Sequence, residues 1–153
     1  MSDLYTKDIL RLAASVPYGE RLTDPDVTVQ KTSRICGSRI TLDVDFDGDR
    51  IARLGQEVKA CALGQATSAL VAPKLIGKGY GEIAPAAEAF KAMIEGRGDV
   101  PDSPWDDLDL LLPVREHRSR HGSVMLIFEA ALAALQTQGT TDSGQIPESL
   151  ARE

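Results

Sequence analysis

The stretch Ile40-Thr41-Leu42-Asp43-Val44-Asp45-Phe46-Asp47-Gly48-Asp49-Arg50-Ile51 decides the fold. Ile40, Leu42, Val44 and Phe46 alternate with Thr41, Asp43 and Asp45, the period-two pattern of a strand with one buried and one wet face. Asp47-Gly48-Asp49 marks a hairpin turn, because glycine adopts positive φ at no steric cost. Ile51, Leu54 and Val58 set the return strand; alternation is weaker there, and Gly55 is the expected site of a bulge. Upstream, Val27, Val29 and Lys31 share one face of another strand. Three consecutive strands of this kind predict an antiparallel meander.

Working outward, Asp3 to Val16 reads as an amphipathic helix carrying Leu4, Ile9, Leu12 and Val16, capped by Ser2 or Asp3 and stopped by Pro17 and Gly19. Residues 17–25 read as a loop. Beyond the hairpin, Cys61 to Leu70 is a helix rich in alanine and small polar residues, which Pro73, Gly77 and Gly79 kink or end. Ile83 to Glu95 is a further helix with Pro85 in its first turn. Gly98 to Asp109 is a loop carrying Trp105, and Leu110 to Val114 is a short apolar run. Val124 to Leu135 is apolar on almost every face, with Glu129 the one charge, and belongs in the middle of the domain. From Thr137 the periodicity stops, and a disordered tail is expected. The expected organisation is one α+β domain over residues 1–136, a three-stranded antiparallel sheet packed against several helices, with a tail over 137–153.

The 153 residues fit a single compact domain, and 42% hydrophobic residues suffice for a core. Seventeen Lys and Arg against 23 Asp and Glu give a net charge of −6, which argues against binding nucleic acid through phosphate neutralisation. No apolar run approaches the roughly 20 residues needed to span a bilayer. No membrane partner is expected, and the chain is expected to be soluble and cytoplasmic. Two cysteines are too few for a disulfide framework; in a reducing compartment they are free thiols, metal ligands or reactive groups.

Cys36 lies twelve residues before Gly48 and Cys61 thirteen after it. Positions equidistant from a hairpin turn are neighbours, so the two sulfurs are expected at the open end of the hairpin. Cys61 also opens a helix, whose unpaired N–H groups and dipole favour negative charge. A pair of buried small hydrophobes and a reversible disulfide are the competing readings. His117 and His121, the only histidines, stand four apart, and a helix there would put both rings on one face. The surrounding Arg115, Glu116, Arg118, Ser119 and Arg120 fit a solvated charged loop equally well. Together, Cys36, Cys61, His117 and His121 are a possible set of two thiolates and two imidazoles, suited to Zn²⁺ or to a two-Cys, two-His cluster. A zinc-finger Cys-x-x-Cys, His-Glu-x-x-His, a phosphate-binding glycine loop and a nucleophile elbow are all missing. Gly77-Lys78-Gly79-Tyr80-Gly81 follows a helix and reads as its terminating loop.

Three segments, in order, resemble the U-type iron–sulfur cluster assembly scaffolds, the group of IscU, SufU and the N-terminal domain of NifU. Ile35-Cys36-Gly37-Ser38 resembles the first ligand turn. Lys59-Ala60-Cys61-Ala62-Leu63-Gly64-Gln65-Ala66-Thr67-Ser68-Ala69-Leu70 resembles the second, a cysteine before a small-residue helix. Leu112-Pro113-Val114-Arg115-Glu116-His117 resembles the segment that leads to the third cysteine. The resemblance spans about residues 3 to 136. It implies a SufE/IscU-like fold and a scaffold rather than an enzyme. It further implies a labile Fe–S cluster or iron, a cysteine desulfurase as partner, and a chaperone reading Leu112, Pro113, Val114 and Arg115. Two departures stand out. Ser38 replaces the family's aspartate, and the third cysteine is missing. Its slot falls on Arg118 counting forward from Pro113, or on His121 or Gly122 counting back from the last helix. His121 is the expected substitute, and His117 matches a histidine found beside that cysteine.

Three functions compete. The first is a scaffold that accepts sulfur and binds iron or a cluster through Cys36 and Cys61 with histidine help. The second is a Zn-bound sulfur acceptor that partners a desulfurase. The third is a degenerate, metal-free interaction paralogue. A free-standing thiol enzyme ranks last, since neither cysteine has His and carboxylate partners at motif spacing.

Overall fold

The computed structural model describes residues 5–35 and 37–143, the last six as backbone. Its elements in chain order are α1 (Lys7–Ala14), β1 (Val27–Thr32), β2 (Arg39–Asp47), β3 (Arg50–Lys59), α2 (Ala62–Leu75), α3 (Tyr80–Ile94), two 3₁₀ segments (Asp106–Glu116 and Arg118–Arg120) and α4 (His121–Ser143). The sheet is the expected antiparallel meander in the order β1-β2-β3. Cross-strand partners share a face, so Val29↔Leu42 and Val44↔Leu54 line the buried side with Ile40 and Ile51. The irregularity lies beside the turn and not at Gly55. Asp45 pairs with Arg53 and Phe46 with Ile51, which leaves Ala52 as the extra residue. That insertion flips the phase of β3 and explains why Ile51, Leu54 and Val58 failed to alternate cleanly.

Gly55 has a different duty. A Cβ there would lie 2.3 Å from the Glu20 backbone oxygen, so the glycine admits the loop over residues 17–25 against the sheet. This loop wraps β3 at its outer edge, where Gln56 N–H donates to Tyr18 O at 2.7 Å, and then straps the outer face. The outer face is therefore not uniformly wet. Asp43 is fully buried on it. Arg21 donates to its carboxylate through Nε (2.6 Å) and a terminal nitrogen (3.0 Å), Leu22 N–H at 3.0 Å and Thr28 Oγ at 2.6 Å. Burial pushes the Asp43 carboxyl upward, but hydrogen bonds from Arg21, Thr28 and Leu22, with the Arg21 charge, outweigh it and hold it below the ordinary carboxylate value.

α4 is the central helix. Val124, Leu126, Ile127, Phe128, Ala130, Ala131, Ala134 and Leu135 are buried, and α4 packs against α2, α3, β1 and β2. Trp105 is buried against Phe128, ring centroids 5.6 Å apart. The helix continues to Ser143, past the point where regular structure was expected to end; residues 144–153 of the expected tail lie outside the described set. At the N-terminus, Thr6 rather than Ser2 or Asp3 caps α1, its hydroxyl accepting from Ile9 N–H at 3.2 Å. α2 and α3 are longer than expected. Pro73 is accommodated in the last turn of α2, and α3 begins at Tyr80 because Gly79 N–H donates to Glu82.

Candidate functional site

The β2–β3 pairing closes at Arg39↔Lys59, and two residues on, Cys61 caps α2. Its φ of −66° and ψ of 170° are extended, and its carbonyl accepts from Gln65 N–H at 3.0 Å. The thiol is half-buried, with Sγ 3.7 Å from Ser123 Oγ. Ser123 Oγ donates in turn to Ser38 Oγ at 3.1 Å. Both serines are buried. Cys36 lies outside the described residues. Its neighbour Gly37 has φ +72° and donates to Ser33 O at 2.8 Å, and Ser33 N–H donates to Ser38 O at 2.8 Å, so a tight loop carries Ser38 to the junction.

Glycines let three segments meet here. A Cβ on Gly64, in the first turn of α2, would lie 2.4 Å from Ser123 Oγ. A Cβ on Gly122 would lie 2.5 Å from Ser33 Oγ. Of the three positions expected for the third cysteine, Gly122 is therefore the one at this junction. It brings no side chain, and Ser33 fills the volume one would need.

The histidines stand elsewhere. His121 Nε2 donates to Val114 O at 2.8 Å, and the residue lines a cavity of about 490 Å³ with Glu95, Arg97, Arg115 and Arg118. In an α-helix, positions i and i+2 are about 200° apart, so His121 and Ser123 face nearly opposite ways. His117 is exposed and sits at the break between the two 3₁₀ segments, with φ −129° and ψ 74°. The i,i+4 pairing of an α-helix therefore does not arise. Among the described residues no group of three or more His, Cys, Asp or Glu could hold a metal ion. In the cavity Arg97 pairs with Glu95, and that hydrogen bond, with the charges of Arg97 and Lys91 nearby, holds the Glu95 carboxyl below its ordinary value.

Leu112, Pro113, Val114 and Arg115 form the end of the long 3₁₀ segment. Val114 is buried, Leu112 and Pro113 half-buried, and Arg115 exposed. Arg115 donates from Nε to Met93 O (2.6 Å) and from a terminal nitrogen to Gly98 O (2.7 Å), which ties the segment to the C-terminal end of α3. Ser38 stood in the first ligand turn as a departure from the family pattern; Ser123 was missed from sequence, since it carries no motif and only the small-residue pattern Gly64, Gly122, Ser123 hinted at close approach.

A three-stranded meander covered by helices, with a thiol at the N-terminus of the helix that follows it, defines a small α+β thiol-bearing domain. No family model matches the chain. Iron–sulfur cluster assembly scaffold protein IscU of Streptococcus pyogenes serotype M1 is 26% identical over 120 residues, 78% of this chain and 76% of that protein. Among solved structures, the N-terminal part of a nitrogen-fixing NifU-like protein from Brucella abortus superposes with a TM-score of 0.80 at 34% identity, covering 85% of this chain and 90% of that one. The SUF-system protein FiSufU of Fervidobacterium islandicum AW-1 shares the fold, with a TM-score of 0.79 at 20% identity over 86% and 96% of the two chains. The chain belongs to the U-type iron–sulfur cluster assembly scaffold family. No described helix is long and apolar enough to cross a membrane.

Proposed function

We propose that this protein is a scaffold, not an enzyme, that accepts sulfur and holds iron or a labile Fe–S cluster as cargo through Cys61 and Cys36. The observation that supports this best is the place of Cys61. It stands at the open end of the meander, at a helix N-terminus, half-exposed in a chain 34% identical to a NifU-like N-terminal domain. In the first step, the Cys61 thiolate attacks the outer sulfur of a persulfide on a cysteine desulfurase. A new S–S bond forms at Cys61, the donor's S–S bond breaks, and the donor leaves as a thiolate. A two-electron donor from outside the protein must then reduce the outer sulfur to sulfide, breaking its bond to Cys61 and leaving the thiolate free; sulfide and iron would be held by soft donors in a site with few protein ligands, which favours release to a recipient.

The donor chemistry fits an under-coordinated site. Cys61 is the sole thiol among the described residues, and Gly122 offers no third one. His121 and His117, the expected helpers, would have to leave their present positions to join. The same reading assigns the Leu112, Pro113, Val114 and Arg115 segment to a chaperone and the protein to the cytoplasm.

Anaerobic purification followed by reconstitution with iron and sulfide tests the proposal. Iron with matching acid-labile sulfide and a sulfur-to-iron charge-transfer band is the expected result. Stoichiometric zinc without colour would move the protein to a Zn-bound sulfur acceptor. Absence of metal under both conditions would leave a metal-free interaction protein.

A further inference from the structure

The cavity of about 490 Å³ at the C-terminal end of α3 is walled by Glu95, Arg97, Arg115, Arg118 and His121, all of them charged or polar. Glu95 and Arg97 neutralise each other, Arg97 donating to one carboxylate oxygen from Nε at 2.9 Å and from a terminal nitrogen as well. Among the described residues neither Arg115 nor Arg118 has a carboxylate partner. Arg115 is nonetheless fixed in place. Its Nε and one terminal nitrogen donate to Met93 O at 2.6 Å and to Gly98 O at 2.7 Å, which uses two of the five N–H donors of a guanidinium and orients its plane. Arg118 is exposed and stands on the far side of the break at His117, at the position where counting forward from Pro113 puts the missing third cysteine. His121 is fastened to the wall, its Nε2 donating to Val114 O at 2.8 Å.

We propose that this cavity binds a phosphate dianion, either free phosphate or the phosphate group of a small monoester, between the guanidiniums of Arg115 and Arg118. Charge matches first. With Glu95 committed to Arg97, two positive charges face the cavity without a counter-charge, and a phosphate near neutrality brings about two negative ones. Geometry matches second, because a guanidinium offers a planar fork of N–H donors that fits two oxygens of a phosphate. Arg115 is already ordered by its two backbone bonds, so binding costs less in side-chain freedom there. The lining also selects against carbon. A dicarboxylate carries an apolar chain between its charges, and none of the lining residues is apolar. A bound dianion would bridge the break at His117 and tie the short 3₁₀ segment, through Arg115, to the C-terminal end of α3.

The test is a titration of the full-length, metal-free protein with inorganic phosphate, followed by amide and arginine side-chain NMR shifts at one pH. Chloride holds the ionic strength constant, since screening alone weakens any anion contact. Saturable shifts at Gly98, Arg115, Arg118 and His121 are expected, with a Kd of about 1 mM, the strength of two charge-assisted contacts. Arg118→Gln is expected to raise that Kd about tenfold, because one of the two forks is lost. Arg118 has no partner among the described residues, so the fold should not suffer. Lys7→Gln removes an equal charge from the exposed surface of α1 and should leave the Kd within about twofold of the parent. A second titration with glycerol 3-phosphate separates the two sources of the group, the tighter binder being the one the cavity takes. Shifts that grow without saturating, or equal weakening by Arg118→Gln and Lys7→Gln, would reduce the binding to general attraction and overturn the site. Tighter binding of succinate than of either phosphate overturns the ligand class. The site shares no residue with Cys36 or Cys61, so neither result bears on iron and sulfide reconstitution, and the two readings fall separately.

Discussion

Asp43 and Cys61 are both polar groups drawn in from water, and the fold holds them in opposite ways. Asp43 is buried on the outer face of the sheet and takes four hydrogen bonds, two from Arg21 and one each from Leu22 and Thr28. Among the described residues the Cys61 sulfur has one hydrogen-bond contact, 3.7 Å long, to the Ser123 hydroxyl. A saturated carboxylate is a permanent joint between the loop over 17–25 and the sheet, because each bond it loses leaves a fully buried acceptor less satisfied and out of reach of water. A sulfur with a single soft contact can gain a new bond without disturbing the fold. Saturation marks the part that holds the domain together; sparse coordination marks the part that does chemistry.

That contrast is easiest to break at its two ends. Cys61→Ser should lower the iron and acid-labile sulfide retained after reconstitution by more than about tenfold, since a cluster loses a thiolate it cannot replace. Its thermal unfolding should stay close to the parent. Retention at the parental level would remove Cys61 from the site. Asp43→Ala should do the reverse. It should cost about 3 kcal/mol in urea unfolding while leaving retention intact, because Arg21, Leu22 and Thr28 lose a shared buried acceptor.

The acid limb sharpens the same point. The Asp43 carboxyl titrates lower in the fold than its unfolded value of about 3.9. Its stabilisation is therefore complete above that value and is lost as pH falls through the lower folded one. The stability gap between the parent and Asp43→Asn should be widest near neutrality and should close in acid; a gap independent of pH would mean the carboxylate charge contributes nothing.

The smallest effect belongs to His121. His121→Ala removes the bond to Val114 O and should cost about 1 kcal/mol, with iron retention unchanged. Retention falling as far as in Cys61→Ser would bring His121 round to the thiol side and undo the division of roles.

Much of the fold was legible in the residues. The alternation of Ile40, Leu42, Val44 and Phe46 and the turn at Gly48 fixed the hairpin, because side-chain direction in a strand has a strict period of two. Val124 to Leu135, apolar on almost every face with Glu129 the one charge, belonged in the middle of the domain. The bulge was misplaced because a glycine in a strand signals either an extra residue or a close approach, and the sequence alone does not separate the two. Gly55 is the close approach, and Ala52, with no distinguishing chemistry, is the extra residue.

Cys61 was legible as the start of a helix, and with it the thiol half of the candidate site. Its neighbours were not. Local pattern located the three strands and four helices, since backbone preference and hydrophobic period act over a few residues, but it missed the 3₁₀ segment Asp106–Glu116 and ended α4 about two turns early. Only the tertiary structure decided what faced what. The loop over 17–25 turned Asp43 from a wet-face residue into a buried one, a contact between residues 22 apart in sequence. The one outward stripe of α4, Met125, Glu129 and Leu132, is apolar except at Glu129 and sets its rotation only weakly, so the α4 sequence does not say whether His121 or Ser123 meets the thiol. Packing around Gly64 and Gly122 set that rotation, and it brought the serine to the sulfur and sent the histidine to the arginines.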